Sequence, residues 1–450
     1  MTKSPSTLLR SLGFRDALAI VMGSMIGTGV FLKTAVMTQL VGSAFWVTMA
    51  WLAAGVLSLL GAMTYAELGA IFPEAGGGYV YVREAYGRFA GFLAGWISVW
   101  IIFPGSIAAY GVAAATFLNG AMPISSFGGA RVVSVGLIIF FGTLNSLAVS
   151  FGGRLQSVLT GIKIFLIVGL TLGIFFLVPG APGISETPLS TPHIGAFGAA
   201  TLAALWAFDG WEGLSRVAGE IKSPGKTIPL ALILGTAAVF FLYSSLNFAY
   251  FHALPVAEIV SSSSTDYPSA APVAAKAAVG FLGSSGLQVL SVIFLISTVG
   301  AMNGTLMTSA RVPFAMAKDG LFFKFLSHVN PRSRVPLRAI WAQVAVSCLL
   351  ALSGTFDQLT NYVVFSAWIF YGITGAAVFI FRKRHVVAGE SFRVPGYPWL
   401  PAVFVFMAAS LVVTTLIESP KDSLIGMAMI LTGVPFYFFF FRERTLKKLN

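Results

Sequence analysis

The sequence predicts an all-α membrane protein with twelve transmembrane helices. Three observations carry that prediction: the composition, the length of the apolar runs, and the way basic residues are shared between loops. Of 450 residues, 57% are hydrophobic and only 10% are charged, and the mean hydropathy is +0.86. A soluble chain of that size cannot cover its surface with so few charges. The apolar residues recur in runs of about 20, the length at which a helix crosses the hydrocarbon core. Lipid leaves backbone polar groups to be satisfied inside helices or closed barrels, and these runs lack the alternation of barrel strands.

The spans are expected near 14–36, 42–72, 86–118, 131–150, 156–179, 195–215, 227–252, 284–311, 336–354, 358–382, 399–417 and 423–441, with connectors such as Pro179–Pro192 and Ser261–Pro272 between them. The net charge of +12 would suggest nucleic acid in a soluble domain. Here 23 of the 28 basic residues fall at one set of span ends, among them Lys3, Arg83, Arg154, Arg216, Arg311, Arg382 and Arg442. The other set carries Lys33, Arg131, Lys276 and Lys421, and Lys163 lies inside a span. The positive-inside rule then puts both termini in the cytoplasm, as an even number of spans requires. No nucleic-acid partner is implied; the partners are the lipid bilayer and a small molecule, and the site is the cell membrane.

Shorter features fill in the loops. Residues 1–13 are polar and precede a first helix without a small-residue cleavage pattern, so they read as a cytoplasmic segment ahead of a retained helix. The stretch Phe72–Gly87 is rich in aromatic and charged residues and suggests a short helix lying along the membrane surface, and Lys318–Ser327 looks alike. Gly87, Gly91 and Gly95 form a small-xxx-small pattern that lets a neighbouring helix approach span 3. The one cysteine, Cys348, sits in an apolar run and reads as packing.

Chemistry concentrates in three spans. Span 1 carries Gly23, Gly27 and Gly29 in seven residues, roughly 14–22 Å from its start at 1.5 Å per residue, close to the midplane. Two readings are open: tight helix packing, or an unwound stretch whose N–H groups hold an anion such as a carboxylate. Span 6 carries Asp209 and Glu212 framed by Gly210 and Gly213. A charge at a helix centre costs about 2.5–3.5 kcal/mol, so two acids three residues apart argue for a second break beside a polar cavity. The alternatives are that Glu212 pairs with a basic group and braces the fold, and that Asp209 sits on loop backbone. Lys163 on span 5 either snorkels to the headgroups or stands as a fixed cation between spans 1, 5 and 8. The two interrupted spans begin on opposite sides of the membrane with about 182 residues between Gly27 and Asp209. That is the mark of a five-helix unit repeated with inverted topology, with a site at the repeat interface. The division is then 14–180 for the first repeat, 195–382 for the second, 399–441 for two further helices and 442–450 for a cytoplasmic tail.

At these residues the chain resembles the amino acid–polyamine–organocation superfamily, and within it the bacterial branch related to L-type amino acid transporters. The motifs are GSMIGTGVF on span 1, YAELGAIFPEAGGGYVYVREAYG across span 2 and its loop, WAFDGWEGLSRVAGEIKSPGKTIP on span 6 and VPGYPWLP before span 11. The resemblance covers essentially the whole chain and implies the five-plus-five inverted-repeat (LeuT-like) fold with broken helices 1 and 6. It implies that Gly27, Thr28 and Gly29 bind the substrate carboxylate, and that carbonyls of Met25, Trp206 and Asp209 accept from the α-amino group. Phe208 and Gly210 line the pocket, and Trp206 gates it. Lys163, with Ser297 or Thr298, stands where sodium-coupled relatives bind a cation. Glu212 departs from the neutral residue of many L-type relatives and matches an acid of some antiporters; it is a candidate for a proton or a substrate charge.

The function this supports is a secondary transporter of neutral L-amino acids working by alternating access without sodium. The alternative is a proton symporter, or an antiporter of cationic amino acids or amines. A channel lacks its filter repeats here. A membrane enzyme lacks its motif, because His193, His252, His328 and His385 lie in loops or at span ends and no Cys/His cluster has metal spacing. No cofactor or metal is implied.

Overall fold

The computed structural model describes residues 8–180, 192, 194–264, 266–267, 270–283, 286–353, 356–386, 392–418 and 420–449. Lys3, His193, most of the connector Pro179–Pro192 and part of Ser261–Pro272 therefore lie outside the described residues, as do the side chains of Arg442, Arg444, Lys447 and Lys448. Among the described residues the chain is helical, with no strand and a single isolated backbone bridge between Leu12 and Ile221.

The first half comprises α1 (Phe14–Met25), α2 (Gly29–Val41), α3 (Ala44–Ile71), α4 (Gly78–Tyr86), α5 (Arg88–Ile97), α6 (Phe103–Ala121), α7 (Gly129–Asn145) and α8 (Val149–Leu177). A π-helical turn, Ser98–Ile102, joins α5 to α6. The second half comprises α9 (Ile194–Phe208), α10 (Gly213–Arg216), α11 (Pro224–Ala253), α12 (Val256–Val260), α13 (Val273–Leu282), α14 (Gly286–Ser309), α15 (Arg311–Lys318), α16 (Leu337–Ser353) and α17 (Phe356–Lys383). Then come α18 (Trp399–Glu418) and α19 (Pro420–Leu449). Among the described residues nine helical stretches are long and apolar enough to cross a membrane. The helices α7, α9 and α16 are apolar but run only 17, 15 and 17 residues. This is a multi-pass membrane protein.

Both glycine-rich stretches break the helix. Helix α1 ends at Met25, and Ile26 turns to an extended ψ of 94° before α2 starts at Gly29. Helix α9 ends at Phe208, and Gly210 takes a φ of +101°, a conformation in which a side chain is strained. The two breaks lie against each other. A Cβ on Gly29 would stand 2.5 Å from the Ala207 Cα, and one on Gly210 would stand 3.0 Å from the Ser24 carbonyl oxygen. At Gly29 the backbones would have to part, and at Gly210 the positive φ adds strain to a tight approach, so glycine here permits the contact of two helix ends.

The end of the bundle that carries most arginines departs from expectation in part. Helix α4 forms where a short helix was expected; it buries Tyr79, Val80, Tyr81 and Val82 in succession, packs on α5 and α17, and leaves Glu84 and Tyr86 exposed. Gly87 is the hinge at φ +92° between α4 and α5, while Gly91 receives Arg83 and Gly95 receives Met316 of α15. The small residues thus admit neighbours at two of the three positions. Lys318–Ser327 is not a helix but the end of α15, a turn and a 3-10 turn over Lys324–Ser327. Lys33, expected at a span end, lies inside α2 and is buried. Helix α13 arises in a region read as connector, and α19 continues through the expected tail.

Candidate functional site

The break in α1/α2 leaves donors and acceptors at the centre of the molecule. Among the described residues no backbone carbonyl accepts from the N–H groups of Thr28 or Gly29, which open α2. The Thr28 side chain is fully buried and its Oγ1 has no hydrogen-bond partner. Buried polar atoms are rarely left so, because each costs about 1–3 kcal/mol. Beside them the Met25 carbonyl accepts from the Tyr243 hydroxyl at 2.8 Å, and the Trp206 carbonyl accepts from the Asp209 N–H at 3.2 Å. A carbonyl oxygen carries two lone pairs, and the tyrosine hydroxyl uses one of those on Met25. The Trp206 ring lies 5.8 Å from the Tyr110 ring, and both are buried.

On one flank, α8 and α14 fasten α1 by side chains. Lys163 is buried and its Nζ donates to the Gly23 carbonyl at 2.8 Å and the Ile26 carbonyl at 2.6 Å. It does not snorkel. Ser297 Oγ donates to the Gly27 carbonyl at 3.1 Å, whereas Thr298 bonds Phe294 within its own helix and takes no part. Thr160 donates to the Ala19 carbonyl, and Asn145, Asn303 and Gln156 continue a chain of amide hydrogen bonds across α7, α14 and α8. That chain ends at Gln156 Nε2 and Ser24 Oγ, both without a partner among the described residues. A Cβ on Gly304 would stand 2.5 Å from the Ser24 oxygen and 2.9 Å from the Gln156 nitrogen, so the missing side chain is what gives these groups room.

The acids of the second break are occupied. Arg216 Nε donates to Glu212 Oε2 at 2.9 Å and its Nη2 holds the other oxygen, while Nη1 reaches Thr308. The guanidinium also lies over the Phe103 ring at 4.0 Å. Tyr371 donates to Asp209 at 2.7 Å and its hydroxyl stands 3.1 Å from Glu212. Glu212 therefore has a bidentate basic partner one turn on, as one of the two readings open from the sequence has it. Asp209 meets a tyrosine hydroxyl instead of open space. Phe208 is likewise drawn away: its ring packs 5.2 Å from Tyr243 and 5.9 Å from Trp51 in the core between α3 and α11.

Below these acids the basic end is locked by further pairs. Glu220 and Arg311 form a buried two-point ion pair at 2.7 and 3.0 Å. Glu67 holds Arg382 at 2.7 Å and accepts from the Val394 N–H. Arg83 meets Asp319, to which Tyr79 also donates; burial and that carboxylate hold the Tyr79 phenol above its ordinary pKa, so it stays a donor. Ser11 and Leu12 donate to the Glu220 carbonyl, and Lys222 donates back to Leu12.

Tyr110, Arg216, Tyr243 and Tyr371 were not singled out from sequence. The three tyrosines lie on helices remote in sequence from the breaks they touch, whereas Arg216 is one turn beyond Glu212 and reads from sequence only as a basic residue at a span end.

A multi-pass helical protein with two abutting helix breaks around buried, unsatisfied donors has the build of a secondary transporter. Residues 12–441 match the family described as amino acid permease. The chain is 34% identical to the serine/threonine exchanger SteT of Bacillus subtilis (strain 168), over 96% of this chain and 97% of that one. It is 29% identical to the human b(0,+)-type amino acid transporter 1, over 97% and 88% of the two chains. It is 30% identical to the mouse Asc-type amino acid transporter 1, over 96% and 81%. The chain belongs to the amino acid permease family of the amino acid–polyamine–organocation superfamily, a family of transporters.

Proposed function

We propose that the chain exchanges neutral L-amino acids across the cell membrane without sodium, through the paired breaks at 26–28 and 209–212. The observation that carries this reading is the unsatisfied set at Thr28 and Gly29: two N–H groups and a buried hydroxyl beside the Met25 carbonyl. An α-carboxylate fits the donors and an α-ammonium fits the carbonyls of Met25, Trp206 and Asp209. The occupied state of Glu212 argues for a substrate with no side-chain charge, and a relative that bears the name of an exchanger argues for exchange. In this reading the twelve crossings form two inverted five-helix repeats followed by two helices, with both ends cytoplasmic. Trp206 covers the substrate from outside.

Lys163 takes the part of a bound cation. Its ammonium already draws on the Gly23 and Ile26 carbonyls. A second monovalent cation at 4 Å would be repelled by about 4 kcal/mol at an effective dielectric of 20. Uptake into proteoliposomes preloaded with amino acid tests the whole reading. It is expected to need internal substrate and to be equal in sodium and choline buffers; uptake that needs sodium, or that ignores internal substrate, contradicts it.

A further inference from the structure

The ring of Tyr110 stands against the break itself. A Cβ on Gly27 would lie 3.2 Å from the Tyr110 Cε1 and 3.4 Å from the Ala301 Cβ. The other flanks of the break are taken. Toward α8 its carbonyls are bonded by Lys163, and Ser297 of α14 adds another bond. Toward α11 stands Tyr243, whose hydroxyl is on the Met25 carbonyl. Toward α9 Gly29 abuts Ala207, where even a Cβ would stand 2.5 Å from the Ala207 Cα. The remaining side faces α6 and α14, where Tyr110 and Ala301 form the wall. The Phe31, Phe294 and Phe117 rings, 4.4 and 5.1 Å apart, extend the same side from α2 through α14 to α6.

A substrate pinned by its carboxylate and ammonium at the breaks has only this side for its own side chain. We propose that Tyr110 is a size filter, and that the substrates are small neutral amino acids with side chains no larger than about that of threonine. This inference rests on the breaks being the amino-acid site. The ring is confined: Tyr110 is 3% exposed and Trp206 lies beside it. A leucine or phenylalanine side chain therefore has to displace a packed aromatic ring, whereas a methyl or hydroxymethyl group lies alongside it.

The test is competition against labelled L-alanine uptake in proteoliposomes holding the full chain. Glycine, serine and threonine are expected to compete at concentrations tenfold or more below those needed for leucine, methionine and phenylalanine. Tyr110→Val is expected to bring leucine within about threefold of alanine, while Tyr110→Phe, which keeps the ring, preserves the ranking whatever it does to the rate. Equal competition by alanine and leucine in the unmodified protein would overturn the filter alone, as would an unchanged ranking in Tyr110→Val. Failure of every amino acid to enter would overturn the transport reading and the filter with it. If Tyr110→Val does not insert, the ranking in the unmodified protein decides by itself.

Discussion

The two ends of α1 are held by different physics. At the basic end the charges described above are paired: Glu220 has Arg311, Glu67 has Arg382, and Arg83 has Asp319. At the midplane the arrangement is the reverse. Lys163 is held by carbonyl oxygens and, among the described residues, by no carboxylate, while Thr28, Ser24 and Gln156 keep polar atoms with no partner. A satisfied ion pair fixes one geometry, and removing one member leaves a buried charge. An unsatisfied donor waits for a ligand and binds the protein to no single geometry. The contrast assigns closure to the basic end and substrate to the middle.

The contrast breaks most readily at Gly29. Gly29→Leu should abolish uptake, a loss of at least a hundredfold, because its Cβ alone meets the Ala207 backbone at 2.5 Å. The check is uptake normalised to the amount of inserted protein, and normal uptake would mean that α2 and α9 do not abut in the working state. Next comes the ion pair. Arg311→Ala strands Glu220 and should lower stability by about 3–5 kcal/mol, whereas Glu220→Gln with Arg311→Met should recover much of the loss. Thermal unfolding in detergent reads both, and an undiminished midpoint for Arg311→Ala would remove the basic end from the account of closure.

Lys163→Ala sharpens the other side. Uptake should fall tenfold or more, with a smaller loss of thermal stability than Arg311→Ala causes. The two carbonyls it leaves can bond water, and no charge is stranded. Normal transport by Lys163→Ala would reduce the lysine to packing. The smallest effect belongs to Tyr371→Phe, which removes one hydroxyl from Asp209 and should cost about 1–3 kcal/mol in stability. A loss several times larger would show that Asp209 and Glu212 depend on that hydroxyl to share their site.

Much of this was legible in the sequence for a physical reason. Gly23, Gly27 and Gly29 weaken a helix wherever they stand, and Asp209 and Glu212 are too costly in lipid to lack a purpose, so the breaks announce themselves locally. The superfamily resemblance rested on the same residues. What sequence could not show is pairing at a distance. That Tyr371 reaches Asp209 and Glu212, and that the Phe208 ring packs on Tyr243 and Trp51, depends on helices far along the chain. Tyr110 carried no local signal: its meaning comes from a glycine 83 positions earlier.

The central claim is that the break binds the common part of an amino acid, both carboxylate and ammonium. Competition against labelled L-alanine uptake by its decarboxylated amine and by its α-hydroxy acid tests this directly. Each analogue lacks one of the two groups and leaves a set of buried donors or acceptors unmatched, so each should compete at least a hundredfold more weakly than L-alanine, as about 3 kcal/mol of lost pairing requires. An amine or hydroxy acid that competes as well as the amino acid would contradict the account.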